Sequence, residues 1–299
     1  VTTVIPVIPD SETLRGMDTS PEVSAAAPAA VQARSFGMRS LAHSRRFAVA
    51  VVGPVLLLLV WELLALTVFA GKHSVPTPVG VVRSMWADRS LYADNAPTTL
   101  REAGLGYLWG NLAALGLAAI VSLVPFLEKT LLRIAITSYC LPVIAIAPVL
   151  NIVLNGDAPK ATLAALSVFF TTLVGALLGL RSADANSLDV VRAYGGGRWS
   201  ALQKVRFRAA MPATFAGLRI AAPAALLGAI IGEYLGGDSG LGIAMINSEQ
   251  ALEINRTWGI AMFVTIVALL GYIITELIAR WLTPWAPRSN AASGRSFRR

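Results

Sequence analysis

Charge is scarce in this sequence. Of its 299 residues only 14% are Asp, Glu, Lys or Arg, where a soluble globular chain carries about 25% to keep its surface solvated. An ordinary soluble enzyme is excluded on that ground. One cysteine, Cys140, excludes a disulfide framework, and two histidines, His43 and His73, thirty residues apart, exclude a Cys/His zinc site. A Gly-x-x-x-x-Gly-Lys-Ser/Thr phosphate loop is missing too: Gly71-Lys72 is followed by His73, and Leu66 holds the place of the first glycine. The chain therefore has no such route to binding and splitting ATP. There is no His-Glu-x-x-His pair, no Ser/His/Asp set and no cluster of metal ligands, so no catalytic residue, cofactor or metal site is expected and the chain is not expected to be an enzyme.

What it has instead is apolar length. The sequence is 55% hydrophobic with a mean hydropathy of +0.64, and six runs approach the about 20 apolar residues that one helical crossing of a bilayer needs. They cover 47–70, 103–124, 131–154, 161–180, 213–235 and 258–282. The runs are continuous and rich in Leu, Ala, Ile and Val. Short alternating segments would instead mark a membrane barrel, so the backbone here must satisfy itself as helix. The expected fold class is all-α, a polytopic membrane protein of about six transmembrane helices. Residues 1–46 hold Pro6, Pro9, Pro21, Pro28 and an Ala-rich patch but no folding-length apolar run, and are expected to be a disordered cytoplasmic tail. Residues 47–74 are expected to carry the first span, 75–285 the remaining core, and 286–299 a basic cytoplasmic tail.

With the N-terminus inside, segments facing the cytoplasm carry nineteen Lys and Arg and those outside carry six. That asymmetry is the positive-inside bias, and it accounts for the net charge of +8 through topology and anionic lipid, without nucleic acid. Both termini are expected in the cytoplasm. Trp258 at one end of the last span, and Trp281 and Trp285 at the other, stand where interfacial aromatics anchor a helix.

The connections differ in character. Outside, residues 71–102 contain Pro76-Thr77-Pro78 and then apolar residues at helical spacing from Val79 to Leu91, which predicts a short helix on the interface. Residues 236–257 also lie outside and open on Gly236-Gly237-Asp238-Ser239-Gly240-Leu241-Gly242. The one substantial inner connection is 181–212. Leu188, Val191 and Tyr194 form one short apolar face, Trp199, Leu202 and Val205 another, and Gly195-Gly196-Gly197 lies between them. Three glycines cost about 1 kcal/mol each inside a helix, so two short helices joined by a bend are expected. Such a segment serves either as a solvated inter-span loop or as a docking knob for a cytoplasmic partner.

Within the spans, Gly106 and Gly110, Gly175 and Gly179, and Gly228 and Gly232 repeat at a spacing that lets helices approach closely. Pro142, Pro148 and Pro223 interrupt the hydrogen-bond ladder, either freeing carbonyls to line a path or simply kinking the helix. Intramembrane carboxylates are functional candidates by default. Glu276 has Arg280 one turn on, a structural pair; Glu62 has no evident partner; Glu233 is the candidate gate residue. An alternative function follows from the same residues: an ion-gradient-driven carrier using Glu62 and Glu233. Against it, the two halves show no matching inverted repeats with broken spans.

One combination of motifs carries a family resemblance. Asp189-Val-Val-Arg-Ala-Tyr-Gly195, nine further residues, Val205-Arg-Phe-Arg208 and Pro212 resemble the cytoplasmic EAA loop of binding-protein-dependent ABC importer permeases, in appearance nearest the nitrate, sulfonate and taurine type. Asn95-Ala-Pro-Thr-Thr-Leu-Arg-Glu-Ala-Gly104 resembles the start of that family's first core span, and Glu233-Tyr-Leu-Gly-Gly-Asp-Ser-Gly-Leu-Gly242 the outer end of its fifth. Two positions depart from the pattern: Asp189-Val190-Val191 stands for Glu-Ala-Ala, and Arg208 replaces a usual proline, restoring a backbone donor. The resemblance implies a MetI-like permease fold in a bacterial plasma membrane. It implies an ABC ATPase subunit and an extracytoplasmic substrate-binding protein as partners, and a permease dimer, homomeric or with a paralogue. It also implies a coupling loop that includes Ala193, in which Gly195 allows close approach, Tyr194 and Trp199 bury as anchors, Asp189, Arg192 and Arg198 form rim ion pairs, and Pro212 is in register. Glu233, Pro142 and Pro148 would belong to the gate or path of a small, sulfonate- or nitrate-like solute.

Overall fold

The computed structural model describes residues 52–69, 75–124, 133 and 142–286. The expected N-terminal tail, His43, His73, Cys140, nearly all of the C-terminal tail and the first half of the predicted span 131–154 lie outside the described residues. The chain divides into two units, Val1–Trp61 and Glu62–Arg299. Of the first, the described part is the start of helix α1, Val52–Thr67. All that follows concerns the second.

The described elements are helices throughout: α2 (Pro78–Ala87), α3 (Arg89–Leu123), α4 (Val143–Val153), α5 (Ala158–Arg181), α6 (Ala185–Ala193), α7 (Arg198–Gly236), α8 (Leu241–Gln250) and α9 (Ile254–Leu282). Among the described residues, α3, α5, α7 and α9 are long and apolar enough to cross a membrane. The predicted interfacial helix is α2, started by the Thr77 hydroxyl accepting from the Gly80 amide at 3.1 Å and by Pro78 in the first turn. The predicted boundary after it is corrected. Residues 89–102 are not outer loop but the first turns of α3, a helix of 35 residues that at 1.5 Å per residue runs about 52 Å. Pro97 sits inside it, and nearby Asn95 Nδ2 donates to the Leu91 carbonyl at 2.9 Å, a local bond that accompanies the ladder past the proline.

Helices α3, α5 and α7 pack against one another through small residues. Ala103, Ala164, Val168, Ala221, Ala225, Leu226 and Ala229 form one cluster, and Ala114, Ala118, Val121, Leu173, Ala176 and Leu177 another. Apolar area alone gives helices no reason to associate in lipid, so close backbone approach and dispersion must do it. The predicted glycine pairs are part of this packing. A Cβ on Gly110 of α3 would stand 2.5 Å from the Ala165 carbonyl of α5, and Gly175 and Gly179 of α5 meet the α7 backbone at Ala213 and Ala210 in the same manner. A third cluster, Tyr92, Ala96, Leu241, Ala244 and Ile260, joins α3, α8 and α9 at the end of the bundle where Glu233 lies. Below, this is the Glu233 end, and the opposite one is the elbow end.

Candidate functional site

The elbow is built as the glycine pattern suggested, with one extension. Helix α6 is capped by Asp184, whose carboxylate accepts from the Ser187 amide at 3.0 Å; these backbone and hydroxyl donors hold the Asp184 carboxyl below its usual range. At its other end the amides of Gly195 and Gly196 bond back to the Arg192 and Val191 carbonyls, and Gly195 takes φ +75°, a conformation that costs glycine nothing. A helix restarts at Arg198 and, after a π turn over Leu202–Arg206, continues without a break to Gly236. The second short helix is thus the first part of α7. Arg208 and Pro212 both lie within that long helix rather than in a loop.

The side chains of the elbow divide into two groups. Tyr194 is 89% exposed and Trp199 58%, two large aromatics on either side of the bend left largely uncovered by the described residues. Asp189 and Arg192 pair with each other at 2.9 Å on the same exposed surface, beside Ala193. Arg198 is exposed and donates to the Leu123 carbonyl at 3.3 Å, at the end of α3. Its neighbour Arg206 does likewise, reaching Ser122 Oγ at 2.9 Å and the Ser122 carbonyl at 3.3 Å. Both arginines satisfy carbonyls that the end of a helix leaves open.

At the other end Glu233 is fully buried, at 0% exposure. Its carboxylate accepts from the Thr99 hydroxyl at 2.6 Å and from the Gly242 amide at 2.5 Å. Thr99 Oγ1 in turn accepts from the Leu241 amide at 2.9 Å, and Asn95 Oδ1 from the Gly240 amide at 3.2 Å. The glycine-rich segment 236–242 therefore folds around the carboxylate. Gly240 adopts φ +114°, and a Cβ there would overlap the Glu233 oxygens, so both backbone and space require glycine. Next to Glu233 lies Glu102, 1% exposed, in ion contact with Lys160 Nζ at 3.1 Å; Lys160 is 4% exposed and also reaches Asp157 at 3.5 Å. Charges so far out of water persist only when paired.

Glu102, Lys160, Thr99 and Asn95 were given no site role by sequence reasoning, which named Asn95, Thr99 and Glu102 only within a motif at the start of a span. A signal was present: Asn95, Thr99 and Glu102 recur at i, i+4 and i+7, a polar stripe on one helix face. The predicted pair Glu276–Arg280 is present at 3.0 Å, and Arg219 of α7 joins it at 2.7 Å while lying over the Tyr272 ring. Pro142 caps the start of α4 and Pro148 interrupts its interior. Both face away from the chain's own core, on a helix held to α7 by Asn151 donating to the Leu235 carbonyl at 3.1 Å. Glu62 is half-buried near the end of α1. Between α2 and α3, Asp88 receives Arg256 Nε at 2.9 Å and Nη2 at 3.0 Å, and this bidentate pairing holds its carboxyl below the ordinary value.

Apolar spans packed through small residues, a polar cluster buried at one end and an aromatic-tipped elbow at the other make up a polytopic helical membrane protein. Residues 106–286 match the family described as the binding-protein-dependent transport system inner membrane component, and the chain belongs to that family. A Haemophilus influenzae protein assigned as an ABC transporter permease is 30% identical over 228 residues, covering 76% of this chain and 93% of its own length. The riboflavin transport system permease of Chloroflexus aurantiacus is 28% identical, over 71% of this chain and 80% of its own. A Bacillus subtilis permease assigned to aliphatic sulfonate transport is 26% identical, over 78% and 85%. Among solved structures, the MetNI methionine ABC transporter in inward-facing conformations aligns with TM-score 0.52 at 16% identity, over 68% of this chain and 96% of that one. The fold is shared with it. The protein is the membrane permease subunit of an ABC importer, a class that works with an ATPase subunit and a substrate-binding protein.

Proposed function

We propose that the elbow from Asp184 to Arg208 is the seat of a separate ATPase subunit, and that movement of the elbow drives a small solute through a path between two permeases, this chain pairing with itself or a paralogue. The observation that carries the reading is the exposure of Tyr194 and Trp199 on either side of a bend whose Gly195 has open space around it. Large aromatics in water favour a partner surface, and a bend without a Cβ lets a second backbone come close. The elbow faces the cytoplasm in this reading, the Glu233 end faces the binding protein, and lipid surrounds the apolar flanks of α7 and α9. Glu233, with the glycine segment folded on it, closes the outer end of the path, and the exposed face of α4 with Pro142 and Pro148 borders it.

For the cargo we propose a small anion of the sulfonate or nitrate kind. Support comes from the motif resemblance and from the Bacillus relative, while the riboflavin permease shows that chains of this similarity are assigned to other cargoes. The coupling reading is tested by purifying the full chain with candidate ABC ATPase subunits and placing a photo-crosslinker at Tyr194. A crosslinked permease–ATPase species is expected; its absence at Tyr194 and at Trp199, with the two proteins co-purified, sinks the reading. Uptake of labelled sulfonate and nitrate by cells lacking the gene tests the cargo separately.

A further inference from the structure

Helices α3 and α7 are fastened to each other at both ends. At one end Glu233 of α7 accepts from Thr99 of α3 at 2.6 Å. At the other, Arg206 of α7 donates to Ser122 of α3 at 2.9 Å through the hydroxyl and 3.3 Å through the carbonyl, with Arg198 on Leu123 at 3.3 Å. Between these points α3 runs unbroken from Thr99 to Ser122, about 35 Å at 1.5 Å per residue, and α7 runs unbroken from Arg206 to Glu233, about 40 Å. The two run in opposite chain directions between the same two fastenings. Helix α7 is continuous with the elbow and α5 leads into it through Ser182 and Ala183, whereas α3 ends at Leu123 and, among the described residues, meets α7 beside the elbow through the side chains of Arg198 and Arg206.

We propose that Arg206 is the positioning residue that makes α3 travel with α7 when the elbow is pulled, so that Thr99 stays seated on Glu233 through the stroke. This rests on the coupling reading above. Three observations favour a mechanical role over a simple helix cap. Arg206 is the last residue of the π turn, where one extra residue in the turn shifts the side-chain direction by about 100° relative to a regular helix. Its guanidinium is half-buried, and its Nε is buried with no hydrogen-bond partner among the described residues, a cost that an arginine swinging into solvent would escape. One nitrogen also engages both a side chain and a carbonyl of the same residue, which fixes the distance between the two helices as well as neutralising a helix end. Without this contact, the elbow end of α3 is held to α7 by the single Arg198 bond to the Leu123 carbonyl, and more of the stroke falls on the outer fastening.

The experiment uses the full chain assembled with its ATPase subunit and binding protein in liposomes. Bound ATPase, ATP hydrolysis and solute moved per ATP are measured for wild type, Arg206→Gln, Arg206→Lys, Ser122→Ala and the double variant Arg206→Gln/Ser122→Ala. Arg206→Gln is expected to retain the ATPase and its hydrolysis while solute moved per ATP falls about tenfold, within the usual range of a coupling free energy. Arg206→Lys should recover part of the loss. Ser122→Ala, which keeps the carbonyl acceptor, should lose less, and the double variant should be no worse than Arg206→Gln alone. Wild-type transport per ATP in Arg206→Gln overturns the proposal. So does a parallel fall of hydrolysis, uptake and protein yield, the mark of a folding role. A wild-type chain that retains no ATPase overturns the coupling reading beneath it.

Discussion

Three ionisable side chains, Glu102, Lys160 and Glu233, sit almost wholly out of water at the Glu233 end, and their arrangement makes sharp demands on single residues. Lys160 is the cation that Glu102 touches at 3.1 Å. Removing it leaves a buried carboxylate uncompensated, a change that costs about 3–5 kcal/mol, whereas replacing the whole pair by apolar side chains is often neutral. Lys160→Met is therefore expected to lower the thermal midpoint of the detergent-purified protein by several degrees, and Lys160→Met/Glu102→Leu to recover most of it. A double variant as unstable as the single one would show that the pair is not what Lys160 serves. Asp88 makes a pH-dependent demand. Its pairing with Arg256 lowers its pKa below the about 3.9 of a free aspartate. A carboxyl depressed on folding adds stability that is present above the unfolded value and lost as pH falls through the folded one. Asp88→Asn should accordingly destabilise the protein at pH 7, by about 1 kcal/mol for a partly exposed pair. The difference from wild type should shrink below about pH 4. A gap in thermal midpoint that stays constant from pH 7 to pH 3 would contradict this account.

At the scale of elements, the elbow and the long helices were legible in the sequence to different degrees. The elbow could be read because its signals are local: two apolar stripes at helical spacing and three glycines between them fix two helices and a bend without help from the rest of the chain. The start of α3 could not. Asn95 to Glu102 is polar and contains Pro97, and a search for apolar runs ends at such a stretch. What keeps it helical and buried is tertiary: the glycine segment 240–242 supplies three amides to Asn95, Thr99 and Glu233 from about 140 residues away or from across a turn. The partner of Glu233 was invisible for the same reason. Glycines of the elbow differ in what they require, which makes a graded prediction. Gly195 is at φ +75° with open space where a Cβ would go, and Gly197 has open space at an ordinary φ of −79°. Gly195→Asp is expected to leave the amount of protein in the membrane unchanged and to abolish uptake, and Gly197→Ala to leave both near wild type. Cellular uptake that survives Gly195→Asp would remove the elbow from the coupling pathway.

For the whole molecule, the distribution of charge between the two ends carries the orientation. Among the described residues the Glu233 end, from Arg83 to Glu102 and from Asp157 to Lys160 and Glu233 to Arg256, has five Lys and Arg against eight Asp and Glu. The elbow half, from Arg181 to Arg219 with Glu276 and Arg280, has eight against three. Three of the five cations at the Glu233 end are also paired in place: Arg101 and Lys160 with Asp157, Lys160 with Glu102, and Arg256 with Asp88 and Glu253. At the elbow end Arg198 and Arg206 are spent on carbonyls and keep their full positive charge. Basic residues near span ends resist translocation and are drawn to the anionic inner leaflet, while acidic ones have little say. On the proposed reading the elbow end is therefore expected on the cytoplasmic side, where an ATPase can reach it. Labelling from outside tests this directly. With Cys140 replaced by Ala, a cysteine at the exposed position Asp238 should react with a membrane-impermeant maleimide on intact cells. A cysteine at the equally exposed Gly197 should react only after the membrane is permeabilised. The reverse pattern would put Tyr194 and Trp199 on the side that has no ATP, and an ATPase could not then be what they meet.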